Sequence, residues 1–255
     1  MRSPWRAVRP EAALRLVART LSEVCLTAGT VIVLFVVYVL LWTGVKADAA
    51  MAGERDRLRA SWSAAAAAST PAPPPGQEPA SPAPAPGASP APDPAPDAAS
   101  DPAPAPGAAF AEMYIPRFGA DWVKPVLEGT GTELLKKGLG HYRGTAAPGG
   151  TGNFAVAGHR RTYGDPFKDM PLLRPGDTVV VKDASTWYTY TVRARPLRTL
   201  PTEVGVVDPV PARSPFTAPG RYLTLTTCDP EWGHSHRLIV WAELTETRPV
   251  KRGSP

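Results

Sequence analysis

The longest apolar run in the chain is Val24–Val45, VCLTAGTVIVLFVVYVLLWTGV, 22 residues without a charge. At a helical rise of 1.5 Å per residue such a segment reaches about 33 Å, the thickness of a bilayer core. Five arginines (Arg2, Arg6, Arg9, Arg15, Arg19) precede it against Glu11 and Glu23. That asymmetry predicts a basic cytoplasmic tail over 1–23, a transmembrane helix over 24–45 and an extracellular remainder. Tyr38 and Trp42 lie toward the outer end, where amphipathic rings favour the interface. A cleaved signal peptide is the competing reading. Its apolar region would be unusually long, and Lys46–Ala50 matches a cleavage site only weakly, so a retained anchor is preferred. Residues 46–68 are strong helix formers and predict a helical stalk; they lack the sustained heptads of a coiled coil.

Beyond residue 110 the period changes. Short apolar or alternating runs bounded by glycine and proline predict strands at 113–118, 122–127, 153–157, 177–182, 186–192, 221–227 and 237–244. Prolines in the first two suggest edge positions. Residues 177–182 and 186–192 read as a hairpin, 132–137 as one or two helical turns stopped by Gly138, and 168–173 as a turn or short helix. Seven or eight short strands with little helix point to a mainly β domain, a closed barrel or a sandwich, over 110–248, followed by a tail at 249–255.

Composition separates this domain from the anchor. Of 32 prolines, fifteen fall in 69–109, in Ala-Pro repeats. Proline has no amide donor, so this stretch forms neither helix nor ladder. It reads as a disordered Ala/Pro-rich linker, able to extend on the order of 100 Å at about 3.1 Å per residue. A hydrophobic share of 43% and seven Trp exclude disorder throughout. Two cysteines, one in the apolar run, exclude a disulfide scaffold or a Cys-rich metal site. The net charge is +5, and residues 110–255 hold 19 Lys and Arg against 14 Asp and Glu. No nucleic-acid motif accompanies the basic balance, and an anionic cell envelope suits it better than nucleic acid.

Three residues carry candidate chemistry. Cys228 ends the run TLTTC, where a strand end is a rigid platform for a nucleophile; the bland alternative is a small buried hydrophobe. His159 follows the strand at 153–157 and can exchange a proton with Cys228 across neighbouring strand ends. The bland alternative is a surface histidine, and its neighbours Arg160 and Arg161 would lower its proton affinity. Arg237 opens the strand that returns after Cys228, where it can donate to a developing oxyanion, although a lone arginine there is commonly solvated or paired. His234 and His236 are rival bases. Their His-x-His spacing offers a metal few further ligands, namely Asp229 and Glu231, and no metal is expected.

These contexts resemble the sortase family of cysteine transpeptidases. Thr224–Cys228 resembles the family's T-L-x-T-C signature. Gly152–His159, GNFAVAGH, resembles its G-N-x-x-[IVL]-x-G-H segment, and Arg237–Val240 its R-[LF]-[IV]-V strand. The order and spacing agree over about 112–245. The phrases GHYRGTAAPG, GHRRTYGDPF and TLTTCDP are most similar to class E sortases of actinobacteria. The resemblance implies a closed eight-stranded β-barrel. It also implies Cys228 as nucleophile, His159 as acid and base, and Arg237 as oxyanion stabiliser. The implied substrates are surface proteins with a C-terminal LAxTG- or LPxTG-like signal, cut between Thr and Gly. They are transferred to the amine of a lipid II-like peptidoglycan precursor at the membrane, with no cofactor. By the same resemblance Tyr142 is a substrate-pocket residue, and Thr226 or Thr227 presents a hydroxyl to the peptide; ordinary strand packing is the bland alternative for both threonines. Asp229 is a departure that places a carboxylate next to the nucleophile and works against a thiolate.

Two other readings stay open on the residues. One is an envelope-binding barrel in which Cys228 is structural and inert to alkylation. The other is a cysteine hydrolase with the same trio and no acceptor. The H-G-x-x-x-x-x-G-C-R motif of L,D-transpeptidases, the other cell-wall cysteine enzymes, does not occur.

Overall fold

The computed structural model of the chain describes residues 10–68 and 104–251. The expected linker lies almost wholly outside the described residues, as do residues 1–9 of the basic tail and the side chain of Trp42. The chain divides into two compact units at Lys46 and Ala47.

Helix α1 runs Pro10–Ala68 without interruption. In the first unit its stretch Leu14–Tyr38 is long and apolar enough to cross a membrane, and its large side chains are exposed. In the second unit the same helix is amphipathic. Ala47, Met51 and Leu58 are buried, four and seven residues apart, which places them on one face of the helix.

The other described residues of the second unit are built on one sheet of nine strands: β1 (Ala109–Tyr114), β2 (Val123–Glu128), β3 (Leu139–His141), β4 (Gly152–Ala157), β5 (Thr178–Lys182), β6 (Thr186–Val192), β7 (Leu197–Thr199), β8 (Arg221–Asp229) and β9 (His236–Pro249). Their order is β6-β5-β1-β2-β3-β4-β8-β9, and β6 pairs again with β9, which closes eight strands into a barrel. The ninth, β7, lies against the first residues of β9, where β6 has not yet arrived. Helix α2 (Thr132–Leu135) is a single turn, where one or two were expected before Gly138. The apolar strand faces fill the barrel: Phe154, Val156, Leu223, Leu225, Val240, Val179, Val181 and Tyr190 are all buried.

The two proline-bearing runs are not edges, because closure leaves the barrel without them. Pro116 falls outside β1, in a 3-10 turn at Pro116–Phe118. Pro125 is inside β2, opposite Glu112 of β1, but β3 joins β2 only from Val126 on. The missing amide therefore sits where the parallel ladder has not begun. Strands β3 and β7, three residues each, are too short to leave a period in the sequence.

A second apolar cluster lies on the outer face of β9, where Ile239 and Trp241 meet Val206. Val206 belongs to a 3-10 turn at Val204–Val207. Polar bonds fix this cover. Trp241 Nε1 donates to the Val206 carbonyl at 3.3 Å. Asn153 Nδ2 donates to the Asp208 carbonyl at 3.1 Å, and Thr224 Oγ1 donates to Asn153 Oδ1 at 2.9 Å.

Candidate active site

The three candidate residues converge at one end of β4, β8 and β9. Strands β4 and β8 are parallel and in register to the pair Ala157 and Thr226. Gly158 N donates to the Thr226 carbonyl at 3.1 Å, and Thr227 Oγ1 donates to the Gly158 carbonyl at 2.8 Å. The next residue out is His159, carried to the side of Cys228. Strands β8 and β9 are antiparallel, and Cys228 stands directly opposite Arg237. Directly opposed residues have Cβ atoms about 5 Å apart. All three are half-buried.

Gly158 is part of the reason His159 lands there. A Cβ at this position would lie 2.6 Å from the Phe167 ring and 2.8 Å from Leu139. Only glycine lets the strand end lie this close to the segment that returns beneath it. Phe167 N closes that return by donating to the His159 carbonyl at 2.9 Å.

The His159 ring lies against Tyr163, centroids 5.1 Å apart, and Lys136 Nζ sits 5.4 Å from the Tyr163 ring centre. Nε2 of His159 is buried without a hydrogen-bond partner. Burial first, and the Lys136 ammonium second, hold this imidazole below its ordinary proton affinity. The sequence assigned that effect to Arg160 and Arg161. Their charges are instead balanced: Arg160 pairs with Asp229, and Arg161 with Glu231 at 2.7 Å and Asp165 at 3.2 Å. The loop beyond His159 is strained, because Tyr163 and Asp165, on either side of Gly164, have positive φ (54° and 47°).

Nη1 of Arg237 donates to the carbonyls of His234 and His236, both at 3.0 Å, which sets the guanidinium at the mouth of the ladder. His236 Nδ1 contacts Arg198 at 3.2 Å and the Ser235 hydroxyl at 3.0 Å; His234 is exposed. Asp229 is bound on both oxygens, one by Arg160 and the other by Arg198 at 2.8 Å. Its charge is therefore balanced by two guanidiniums rather than left beside the sulfur. Tyr142 reaches the same sheet, its hydroxyl 2.9 Å from Thr226 Oγ1. Thr226 and Thr227 are both buried. Among the described residues no three His, Cys, Asp or Glu side chains gather as metal ligands.

A nucleophile, a histidine whose buried ring nitrogen is unpartnered, and a guanidinium on one sheet end can carry acyl transfer. Sequence reasoning missed Tyr163, Lys136 and Arg198. Their places depend on a loop and a three-residue strand. One signal was present: two arginines follow His159 while two carboxylates follow Cys228.

Comparison with known proteins agrees with this geometry. The Sortase domain model matches residues 113–245. Sortase SrtE1 of Streptomyces coelicolor is 35% identical over 98% of the chain, and the chain spans 63% of that protein's length. A sortase E structure from Streptomyces avermitilis is 64% identical with a TM-score of 0.55, covering 59% of the chain and 97% of that structure. Sortase E1 of Streptomyces coelicolor, solved with a tripeptide in its active site, is 42% identical with a TM-score of 0.54, covering 60% of the chain and 98% of that structure. The chain therefore belongs to the sortase family of cysteine transpeptidases, within its class E.

Proposed function

We propose that the chain is a membrane-anchored transpeptidase that cuts an LAxTG- or LPxTG-like sorting signal between Thr and Gly and passes the acyl part to an amine of a cell-wall precursor. The observation that carries this is the meeting of His159, Cys228 and Arg237 on adjoining ends of β4, β8 and β9. The tripeptide in the active site of the Streptomyces coelicolor relative supports a peptide substrate.

In this reading His159 takes the Cys228 thiol proton as Sγ attacks the threonine carbonyl carbon. The electron pair moves to the oxygen, where Arg237 balances it. Collapse breaks the C–N bond, and His159 gives its proton to the departing glycine amine. The thioacyl product waits for an acceptor. His159 takes a proton from the incoming amine, which attacks the thioester carbonyl; the C–S bond breaks and the sulfur recovers that proton from His159. A thiolate is the minority form of a free cysteine at neutral pH, and a proton-poor imidazole favours the neutral pair. The apolar stretch Leu14–Tyr38 would hold the enzyme in the membrane, with the barrel outside.

The test uses the 255-residue chain in detergent micelles with an LAxTG peptide and an amine acceptor, followed by mass spectrometry. Expected are the Thr–acceptor product and a covalent peptide adduct, both lost in Cys228→Ala. Cleavage without acceptor incorporation assigns a hydrolase. A folded protein with neither product nor adduct over several sorting signals leaves an envelope-binding barrel.

A further inference from the structure

The ladder between β4 and β8 ends at Gly158. From His159 onward the loop is tied to β8 by side chains. Arg160, one residue past His159, pairs through Nη1 with the carboxylate of Asp229, one residue past Cys228. The same nitrogen lies 3.5 Å from the Cys228 carbonyl. Arg161 pairs with Glu231 at 2.7 Å and lies over the Trp232 ring at 4.8 Å. Two consecutive arginines after the histidine thus grip the turn that follows the cysteine.

The inner of these pairs is built as a site. The side chains of Arg160 and Asp229 are 11% and 16% exposed, so both charges are largely withdrawn from water and depend on one another. The second oxygen of Asp229 is held by Arg198 Nε at 2.8 Å. Arg198 comes from β7, the short strand outside the eight-strand closure, whose ladder partner is the mouth of β9 beside Arg237. One carboxylate therefore gathers the His159 loop, the end of the Cys228 strand and the strand against Arg237.

We propose that Asp229, held by Arg160 and Arg198, is a positioning residue for acyl transfer: its two ion pairs set the spacing of His159 from Cys228. This rests on the catalytic reading of Cys228 and His159 given above. Proton transfer at a histidine needs hydrogen-bond distance, and a displacement of about 1 Å costs on the order of 100-fold. A surface ion pair would have little such leverage. This one acts on the two residues adjacent to it in the chain.

The 255-residue chain in micelles is assayed for peptide transfer, with melting followed in parallel. Cys228→Ala comes first, and a variant that still transfers overturns the catalytic reading itself. With Cys228→Ala dead, Asp229→Asn keeps the shape and removes the charge. The expected result is a kcat lower by about 100-fold with KM within about threefold, because the chemistry is misplaced while the peptide groove stays. The rate of Cys228 alkylation should shift in its pH dependence, and Asp229→Glu should recover most of kcat. A folded Asp229→Asn with native kcat and native alkylation profile overturns the proposal, as does a rise in KM alone. Should Asp229→Asn fail to fold, Arg198→Gln decides. It removes one of the two pairs from the exposed side, and a kcat lowered about tenfold is expected. A native kcat in that variant overturns the proposal.

Discussion

Two histidines stand at neighbouring strand ends and have opposite surroundings. His141 closes β3 and His159 follows β4, and the two strands are adjacent in the barrel. His141 is buried, with Nδ1 2.6 Å from Glu128 Oε2 and Nε2 3.1 Å from the Ala146 carbonyl and 2.9 Å from Thr145 Oγ1. Its ring also meets Phe110 and Phe154. Every polar atom of the ring is committed. His159 is half-buried, its Nε2 has no partner, and it stands beside the cysteine. A buried polar atom left unsatisfied costs stability, and a catalytic role is one reason a fold keeps such an atom. Residue type does not separate these two histidines; hydrogen-bond bookkeeping does.

The sharpest way to break the comparison is to remove each ring. His159→Ala should lower transfer by about 1,000-fold, within the span for a lost acid–base group, with melting near native. A kcat close to native would put the proton chemistry on another residue. His141→Ala should do the reverse. It strands the Glu128 carboxylate in the interior and should cost about 3 kcal/mol in denaturant unfolding. The fraction still folded should transfer peptide at near the native rate. Loss of activity without loss of stability would move His141 into the site.

A smaller effect is expected at Gly164, in the strained loop after His159. A Cβ there would meet Met51 Cε at 2.6 Å and Asp48 Oδ1 at 2.8 Å, both on α1, and the backbone has φ of 78°. Gly164→Ala should destabilise by about 1–2 kcal/mol and lower kcat through the loop. The matching Gly119→Ala tests the specificity of the effect: it has positive φ (137°) but nothing within 4 Å of the added Cβ, so its cost should be backbone strain alone, with kcat near native.

The smallest effect is a pH dependence. The His159 ring should titrate below 6.5 by NMR, because burial and then Lys136 oppose its charge. The unfolded chain then binds this proton more readily than the folded one. Stability is unaffected by this group above pH 6.5. It falls as pH drops from 6.5 toward the folded-state value, and the loss is complete once the folded ring also protonates. Thermal unfolding of His159→Asn should accordingly lose less stability than the native protein over that window. Identical profiles would mean that the ring is not held neutral by its surroundings.

The strongest strands could be read directly. β8 alternates threonine and leucine up to Cys228, β9 carries Arg237 just ahead of an unbroken apolar run, and β5 and β6 form the expected hairpin. His159, at the end of an unbroken apolar strand, was equally legible. The prolines misled, since Pro125 is tolerated inside the barrel by the late arrival of β3. Strand β7 left too little pattern to see, and with it went Arg198.

Local chemistry, then, sufficed for what depends on a few adjacent residues: the apolar helix, the strand periods, and the placing of a cysteine, a histidine and an arginine at strand ends. Those features follow from side-chain alternation and from the backbone limits of glycine and proline, which act within one element. The tertiary structure alone decided which charges meet. Arg160 and Asp229 are 69 residues apart in the chain, and Arg198 arrives from a third element. Ion pairs and burial depend on distance in space, and barrel closure sets that distance.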